Sequence, residues 1–322
     1  MAQWDLPLDE MRAYAPDLPV PDDLADFWAS TLADARRHQL AATFESVDTG
    51  LALVETFDVT FAGFGGSPIK GWFHVPVGRS GPVPAVVEFQ GYGGGRGLAH
   101  ERLLWPAAGF AYLLMDTRGQ GSTWSPGETA DPDGAGEPAH PGSMTKGILS
   151  PETYYYRRVF TDAVRAVEAA RSHPAVDASR VAVTGGSQGG AITIAAASLT
   201  PDLRGAATDV TFLADFPRAV TLIDKDPYAE VARYLKAHRD HVDQVFRTLS
   251  YFDVANLGTL SRVPALFSVA LMDTICPPST VYAAYNRYAA EKSIVEYPFN
   301  DHEGGQAFHD VVKLGWVKTH LA

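Results

Sequence analysis

The chain has 322 residues, 46% of them hydrophobic and 20% charged, a composition that excludes a disordered or fibrous protein and is long enough to bury a full core. Lys and Arg number 26 against 38 Asp and Glu, a net charge of −12; so acidic a chain repels phosphate backbones, which argues against nucleic acid as a partner. A single cysteine, Cys276, leaves no intrachain disulfide.

Residues 1–23 are acidic, carry four prolines and have no basic stretch leading into an apolar one, so they do not read as a signal peptide. Asp22 or Asp23 caps a helix through Phe27, Trp28 and Leu32 toward Arg37. Residues 54–61 and 69–76 are β-rich runs on either side of Gly63–Gly66 and predict a hairpin. Apolar strands then alternate with helices. Strands are expected at 83–89, 110–115, 180–184, 206–213, 264–272 and 294–299, and helices at 159–170, 191–199, 281–290 and 308–321. This alternation predicts an α/β protein whose mostly parallel sheet is covered on both faces. The most apolar run, 107–115, is about half the length a membrane span needs, so the expectation is a cytoplasmic protein with no membrane partner. Two segments break the rhythm. Residues 122–153 form a Pro- and Gly-rich stretch of the length found in lids and interfaces. Residues 217–260 form a charged helical insertion placed to cap the carboxyl edge of the sheet. No interdomain linker is visible, and the expectation is one domain over 1–322.

Residues 181–190 read Val-Ala-Val-Thr-Gly-Gly-Ser-Gln-Gly-Gly: a strand, a glycine-flanked serine, then a helix, with G-x-S-x-G at Gly185, Ser187 and Gly189. A serine on so tight a turn needs small neighbours, and the turn presents its Oγ at the top of the sheet. The helix that follows aims N–H groups at a developing oxyanion. A serine hydroxyl also needs a histidine to take its proton and a carboxylate to orient that histidine, in the chain order Ser, acid, His. Of the downstream histidines, His238 and His241 lie in the charged insertion, and His309 and His320 in the terminal helix. His302 alone lies in a short loop directly after a predicted core strand, where the base belongs. Asp273 ends the preceding core strand and is followed by Thr-Ile-Cys-Pro-Pro; Asp253 and Asp301 are placed less well. The run Gln90-Gly-Tyr-Gly-Gly-Gly95 follows strand 83–89 and supplies the second half of an oxyanion hole, so Tyr92 and Gln188 are the expected backbone donors. Arg96 stands where a dinucleotide-binding fingerprint needs its third glycine. Arg118, after strand 110–115, is expected to pair with a carboxylate beneath the active-site loops, and Cys276 to be a buried hydrophobe near the acid. His100 and His140 read as surface residues. No spacing of His, Cys, Asp and Glu suggests a metal site, and no cofactor is expected.

On these residues the chain resembles the acetyl xylan esterase / cephalosporin C deacetylase family of carbohydrate esterases. The resemblance is carried by Gly91-Tyr-Gly-Gly-Gly-Arg-Gly97, Asp116-Thr-Arg-Gly-Gln-Gly121, Met144-Thr-Lys-Gly-Ile-Leu149 and Thr153-Tyr-Tyr-Tyr-Arg157. It continues through Gly185-Gly-Ser-Gln-Gly-Gly190 and Asp273-Thr-Ile-Cys-Pro-Pro278 to His302-Glu-Gly-Gly305. The blocks stand in family order over nearly the whole chain. The resemblance implies an α/β-hydrolase fold and a metal-free serine esterase that deacetylates small O-acetylated molecules: xylo-oligosaccharides, cephalosporin C and simple acetate esters. It implies Ser187, Asp273 and His302 as the triad, with Tyr92 and Gln188 as oxyanion donors. It also implies a hexamer whose inter-subunit loop corresponds to residues 122–153. Family members often carry Asn where this chain has Gly93. Two rival readings are a serine peptidase of the prolyl-oligopeptidase kind and a non-catalytic binding protein on a hydrolase scaffold. Too few residues lie outside the core for the gating domain of the first, and the second requires a broken triad.

Overall fold

The structure, a computed structural model, describes residues 3–132, 134 and 142–322. Its nine strands are β1 Thr43–Val47, β2 Val54–Ala62, β3 Pro68–Pro76, β4 Val83–Phe89, β5 Ala111–Met115, β6 Val176–Gly186, β7 Gly205–Asp209, β8 Ala265–Ala270 and β9 Lys292–Tyr297. They form one sheet in the order β1-β2-β3-β5-β4-β6-β7-β8-β9. The hairpin predicted at 54–76 is β2 and β3. It belongs to an antiparallel edge that joins the sheet where β3 pairs with β5, and every pairing from β5 to β9 is parallel.

The sequence explains the parallel half. Residues Ala-Tyr-Leu-Leu-Met of β5 and Ala-Leu-Phe-Ser-Val-Ala of β8 are buried along their whole length, as strands covered on both faces must be. Helix Tyr155–Ser172 presents Val159, Ala163, Ala166 and Ala170 to the core. Helix Gln188–Leu199 consists largely of Ala, Gly, Ile and Thr, which lets it approach β6 and β7 closely. Parallel strands point their carboxyl ends the same way, so the loops after β4, β5, β6, β7, β8 and β9 gather along one edge. Tyr92, Gln120, Ser187, Phe212, Asp273 and His302 stand on those loops in that order, which is why residues remote in sequence meet there.

The structure departs from the sequence reading in several places. Helix Leu8–Arg12 and edge strand β1 were not anticipated. Helix Pro278–Arg287 starts earlier than expected, with Pro278 in its first turn, where a missing N–H costs nothing. Strand β7 ends at Asp209 instead of continuing to 213, and Val210 and Leu213 take positive φ values of 41° and 57°. The insertion at 217–260 comprises helices Phe216–Leu222, Tyr228–Ala237, Val242–Ser250 and Val254–Leu257. The described parts of 122–153 form turns that pack onto the chain, with Met144 and Ile148 fully buried. Residues 133 and 135–141 of that loop, including His140, lie outside the described residues. Among the described residues no helix is long and apolar enough to cross a membrane.

Arg118 makes the ion pair expected of it. Its Nε lies 2.6 Å from Asp162 Oδ2 and its Nη1 3.5 Å from Asp131 Oδ1, and all three groups are almost fully buried. Asp162 also accepts from Phe64 N at 2.8 Å. This cluster ties β5's loop to helix Tyr155–Ser172 beneath the candidate site.

Candidate active site

Ser187 sits at φ 57°, ψ −120° between β6 and helix Gln188–Leu199. That conformation is costly for any residue with a Cβ and persists only where its surroundings impose it. A Cβ on Gly189 would lie 2.1 Å from Phe89 O, and one on Gly185 2.5 Å from the Gly189 backbone, so the motif glycines are required by close approach. Ser187 N donates to Asp209 O at 2.8 Å, and Phe212 N donates to Ser187 O at 3.1 Å. The early end of β7 has its reason here: the chain must leave the sheet after Asp209 to grip the turn from both sides.

Three expected residues come together at the turn. His302 Nε2 is 3.0 Å from Ser187 Oγ, and His302 Nδ1 is 2.8 Å from Asp273 Oδ2. The other oxygen of Asp273 accepts from Ile275 N at 2.8 Å and Cys276 N at 2.9 Å, so a carboxylate only 1% exposed is fully bonded. The two weaker acid candidates do other work. Asp301 accepts from Thr274 N at 2.7 Å and ties its loop to that of Asp273. Asp253 accepts from Ala255 N at 2.9 Å as the cap of helix Val254–Leu257.

Tyr92 and Gln188, the expected backbone donors, belong to two loops locked to each other. The Gln188 amide opens its helix and so has no intrahelical acceptor. The Gln188 side chain donates to Gln90 O at 3.1 Å and accepts from Tyr156 OH and Gln120 Nε2, both at 2.8 Å. Gln120 in turn accepts from Gly93 N at 2.7 Å, and Trp124 Nε1 donates to Tyr92 O at 2.9 Å. Gly93 takes φ 78°, and a Cβ there would fall 2.3 Å from Thr123 Oγ1, so this chain tolerates no side chain at that turn without moving Thr123. Gln120, Trp124, Tyr156 and Glu230 were missed as site residues. Gln120 and Tyr156 lie inside the motif blocks, which is the only signal the sequence offered.

Among the downstream histidines His302 alone bonds to Ser187, and His309 lines the cavity beside that serine but is engaged elsewhere. His309 is buried, with Nδ1 2.9 Å from Tyr297 OH and Nε2 2.9 Å from Asp209 Oδ1. Lys313 Nζ lies 2.7 Å from the second Asp209 oxygen. Burial raises the cost of ionising Asp209, but Lys313 and His309 outweigh it and hold the carboxyl well below the usual range. His238 and His241 are half-buried and stacked with centroids 4.9 Å apart. His320 stacks on Trp316 at 3.8 Å, and His100 is exposed.

Cys276 is buried, and burial followed by the nearby Asp273 charge pushes its thiol up, which disfavours a thiolate. Asp273, Cys276 and His302 have donor atoms within 4.8 Å of one another, but the facing atoms of Asp273 and His302 are engaged with each other. A cavity of about 200 Å³ adjoins Ser187, His302, Asp209 and Val210.

The sheet order and the strained serine turn place the protein in the α/β-hydrolase class. Comparison with protein families narrows the class: the acetyl xylan esterase (AXE1) family matches residues 1–320, and the chain belongs to that family of esterases. The acetyl xylan esterase from Paenibacillus sp. R4 is 36% identical and superposes with a TM-score of 0.92 over 98% of this chain and 99% of that one. Acetyl xylan esterase 1 from Thermoanaerobacterium sp. JW/SL YS485 is 31% identical, with a TM-score of 0.91 over 98% and 99% of the two chains. The acetyl esterase Axe7A of Xylanibacter ruminicola is 30% identical over 166 residues; the match covers 50% of this chain and spans only 36% of that relative's length.

Proposed function

We propose that this protein is an acetyl esterase that hydrolyses small O-acetylated substrates through Ser187, His302 and Asp273. The observation that carries this reading is the continuous path from Ser187 Oγ through His302 to Asp273, with separations of 3.0 and 2.8 Å, in a member of an esterase family. The substrate carbonyl lodges against Ser187 Oγ with its oxygen toward the Tyr92 and Gln188 N–H groups. His302 takes the serine proton as the tetrahedral intermediate forms, then gives it to the leaving alcohol. Water, deprotonated by the same imidazole, releases acetate from the acyl-enzyme. Asp273 stays ionised and holds His302 in the tautomer whose Nε2 accepts a proton. Arg118 and Asp162 act beneath these loops as structure, not chemistry.

Membership in a family of acetyl xylan esterases supports a short acyl group. The test is a p-nitrophenyl ester series from acetate to octanoate, followed by acetylated xylo-oligosaccharides and cephalosporin C. Rates are expected to fall sharply beyond propionate, with acetate released from the last two substrates. A flat or rising series overturns the acetyl preference while leaving the hydrolase.

We also propose self-association, with the hexamer that the family resemblance implies. On helix Gln306–His320, Phe308 (85% exposed), Val311 and Val312 share an open apolar face, the kind of patch that commonly marks an interface. Light scattering of the full chain is expected to give six times the chain mass; a monomer at micromolar concentration overturns the assembly.

A further inference from the structure

The insertion reaches the candidate site at a buried carboxylate. Tyr92 OH donates to Glu230 Oε1 at 2.8 Å and accepts from Ser143 N at 2.6 Å, while Met144 N donates to Glu230 Oε2 at 3.0 Å. Glu230 stands in the first turn of helix Tyr228–Ala237 and is 3% exposed. The backbone at Gly142 passes so close that a Cβ there would lie 2.2 Å from the Glu230 carboxyl. Burial, reinforced by the Glu230 charge, pushes the Tyr92 phenol well above its usual range, so the hydroxyl remains a donor.

The peptide after Tyr92 is held from both ends by Trp124 and Gln120. The peptide before it carries the N–H assigned to the oxyanion, and its direction is set at the Tyr92 Cα. The Tyr92 ring is rigid, and its hydroxyl both donates and accepts, so fixing the hydroxyl fixes the Cα frame. We infer that Glu230 is a positioning residue for ester hydrolysis: by anchoring the Tyr92 hydroxyl against residues 142–144, it aims the Tyr92 backbone N–H at the oxyanion. This rests on the reading of Tyr92 as an oxyanion donor. It makes the insertion a working part of the hole and not only its cover.

The experiment compares Glu230→Ala, Glu230→Gln, Tyr92→Phe and the Tyr92→Phe/Glu230→Ala double variant in the full chain, on p-nitrophenyl acetate, counted per Ser187 titrated by a fluorophosphonate. For Glu230→Ala, kcat is expected to fall about 10- to 100-fold with KM little changed, less than the roughly 10²–10³ that outright loss of a donor costs. Tyr92→Phe should reproduce this, and the double variant should be no worse than either single one. Glu230→Gln must keep its oxygen toward Met144 N, so its NH2 faces a Tyr92 hydroxyl that can still accept but no longer donate, and it should recover only part of the rate. A carboxylate with only a structural role lowers Tm and the titratable fraction but leaves kcat per titrated site alone; that result overturns the inference. If Glu230→Ala does not fold, an unchanged kcat in Tyr92→Phe overturns it equally. Failure of the underlying reading looks different. A wild type that hydrolyses a thionoacetate ester as fast as its oxygen counterpart denies the hole itself, because sulfur is a poorer acceptor for those N–H groups.

Discussion

Replacing Ser187 with alanine is expected to lower kcat on p-nitrophenyl acetate about 10⁶-fold while the fold persists. The loss corresponds to about 8 kcal/mol of transition-state stabilisation, at roughly 1.36 kcal/mol per tenfold. The substitution removes only Oγ, which lies 3.0 Å from His302 Nε2. The backbone bonds that hold the turn, Ser187 N to Asp209 O and Phe212 N to Ser187 O, do not involve it. Alanine and serine bear the same Cβ at φ 57°, so the turn is no more strained in the variant. On the proposed mechanism, what survives is a hole that can polarise a carbonyl without a nucleophile, worth a small residue of rate. Circular dichroism should be unchanged and fluorophosphonate labelling lost. A variant that keeps most of its turnover removes Ser187 from the chemistry.

Asp273→Asn is expected to cost about 10⁴ in kcat, and the structure says why a nearly isosteric change does so much. One oxygen of Asp273 accepts from Ile275 N and Cys276 N. In the variant that face must still be an oxygen, because two N–H groups point at it. The amide nitrogen is therefore turned toward His302 Nδ1, which it meets as a donor. The imidazole must then carry its proton on Nε2, the atom 3.0 Å from Ser187 Oγ, where it can no longer accept one. KM should move little, since Asp273 is buried behind His302. Retention of more than a tenth of the rate would show that a different carboxylate orients the histidine.

The three groups of the path were legible because each follows an apolar strand that the sequence displays. The run Ala265–Ala270 stops at the Asp273 loop, β9 stops before His302, and the glycines around Ser187 mark a close approach. His302 was singled out from its neighbours by position after a strand, a property of one segment. His309 could not be assigned that way, because its burial comes from Asp209 and Tyr297, which the fold brings to it. The same holds for Tyr92 and Glu230, 138 residues apart; nothing in the helical pattern of residues 228–237 says which of its side chains meets the site. Strand β1 was missed because Thr-Phe-Glu-Ser-Val is a mostly exposed edge with little apolar alternation. The overlong expectation for β7 has a comparable origin. Residues 206–213 are apolar or β-branched apart from Asp209, and only the grip on Ser187 shows where the strand must end.

The order of strands in the sheet bears on how the protein comes into being. Ser187 precedes His302 by 115 residues, and His302 follows β9, the last strand to be made and the one at the far edge of the sheet. A domain folds as a unit, so the Ser187 turn and the His302 loop meet only once β9 has been made and has docked. Under the proposed mechanism, Ser187 has no base until β9 docks and is until then an ordinary alcohol. On that proposal, hydrolytic competence arrives with the closing edge of the sheet, late and all at once.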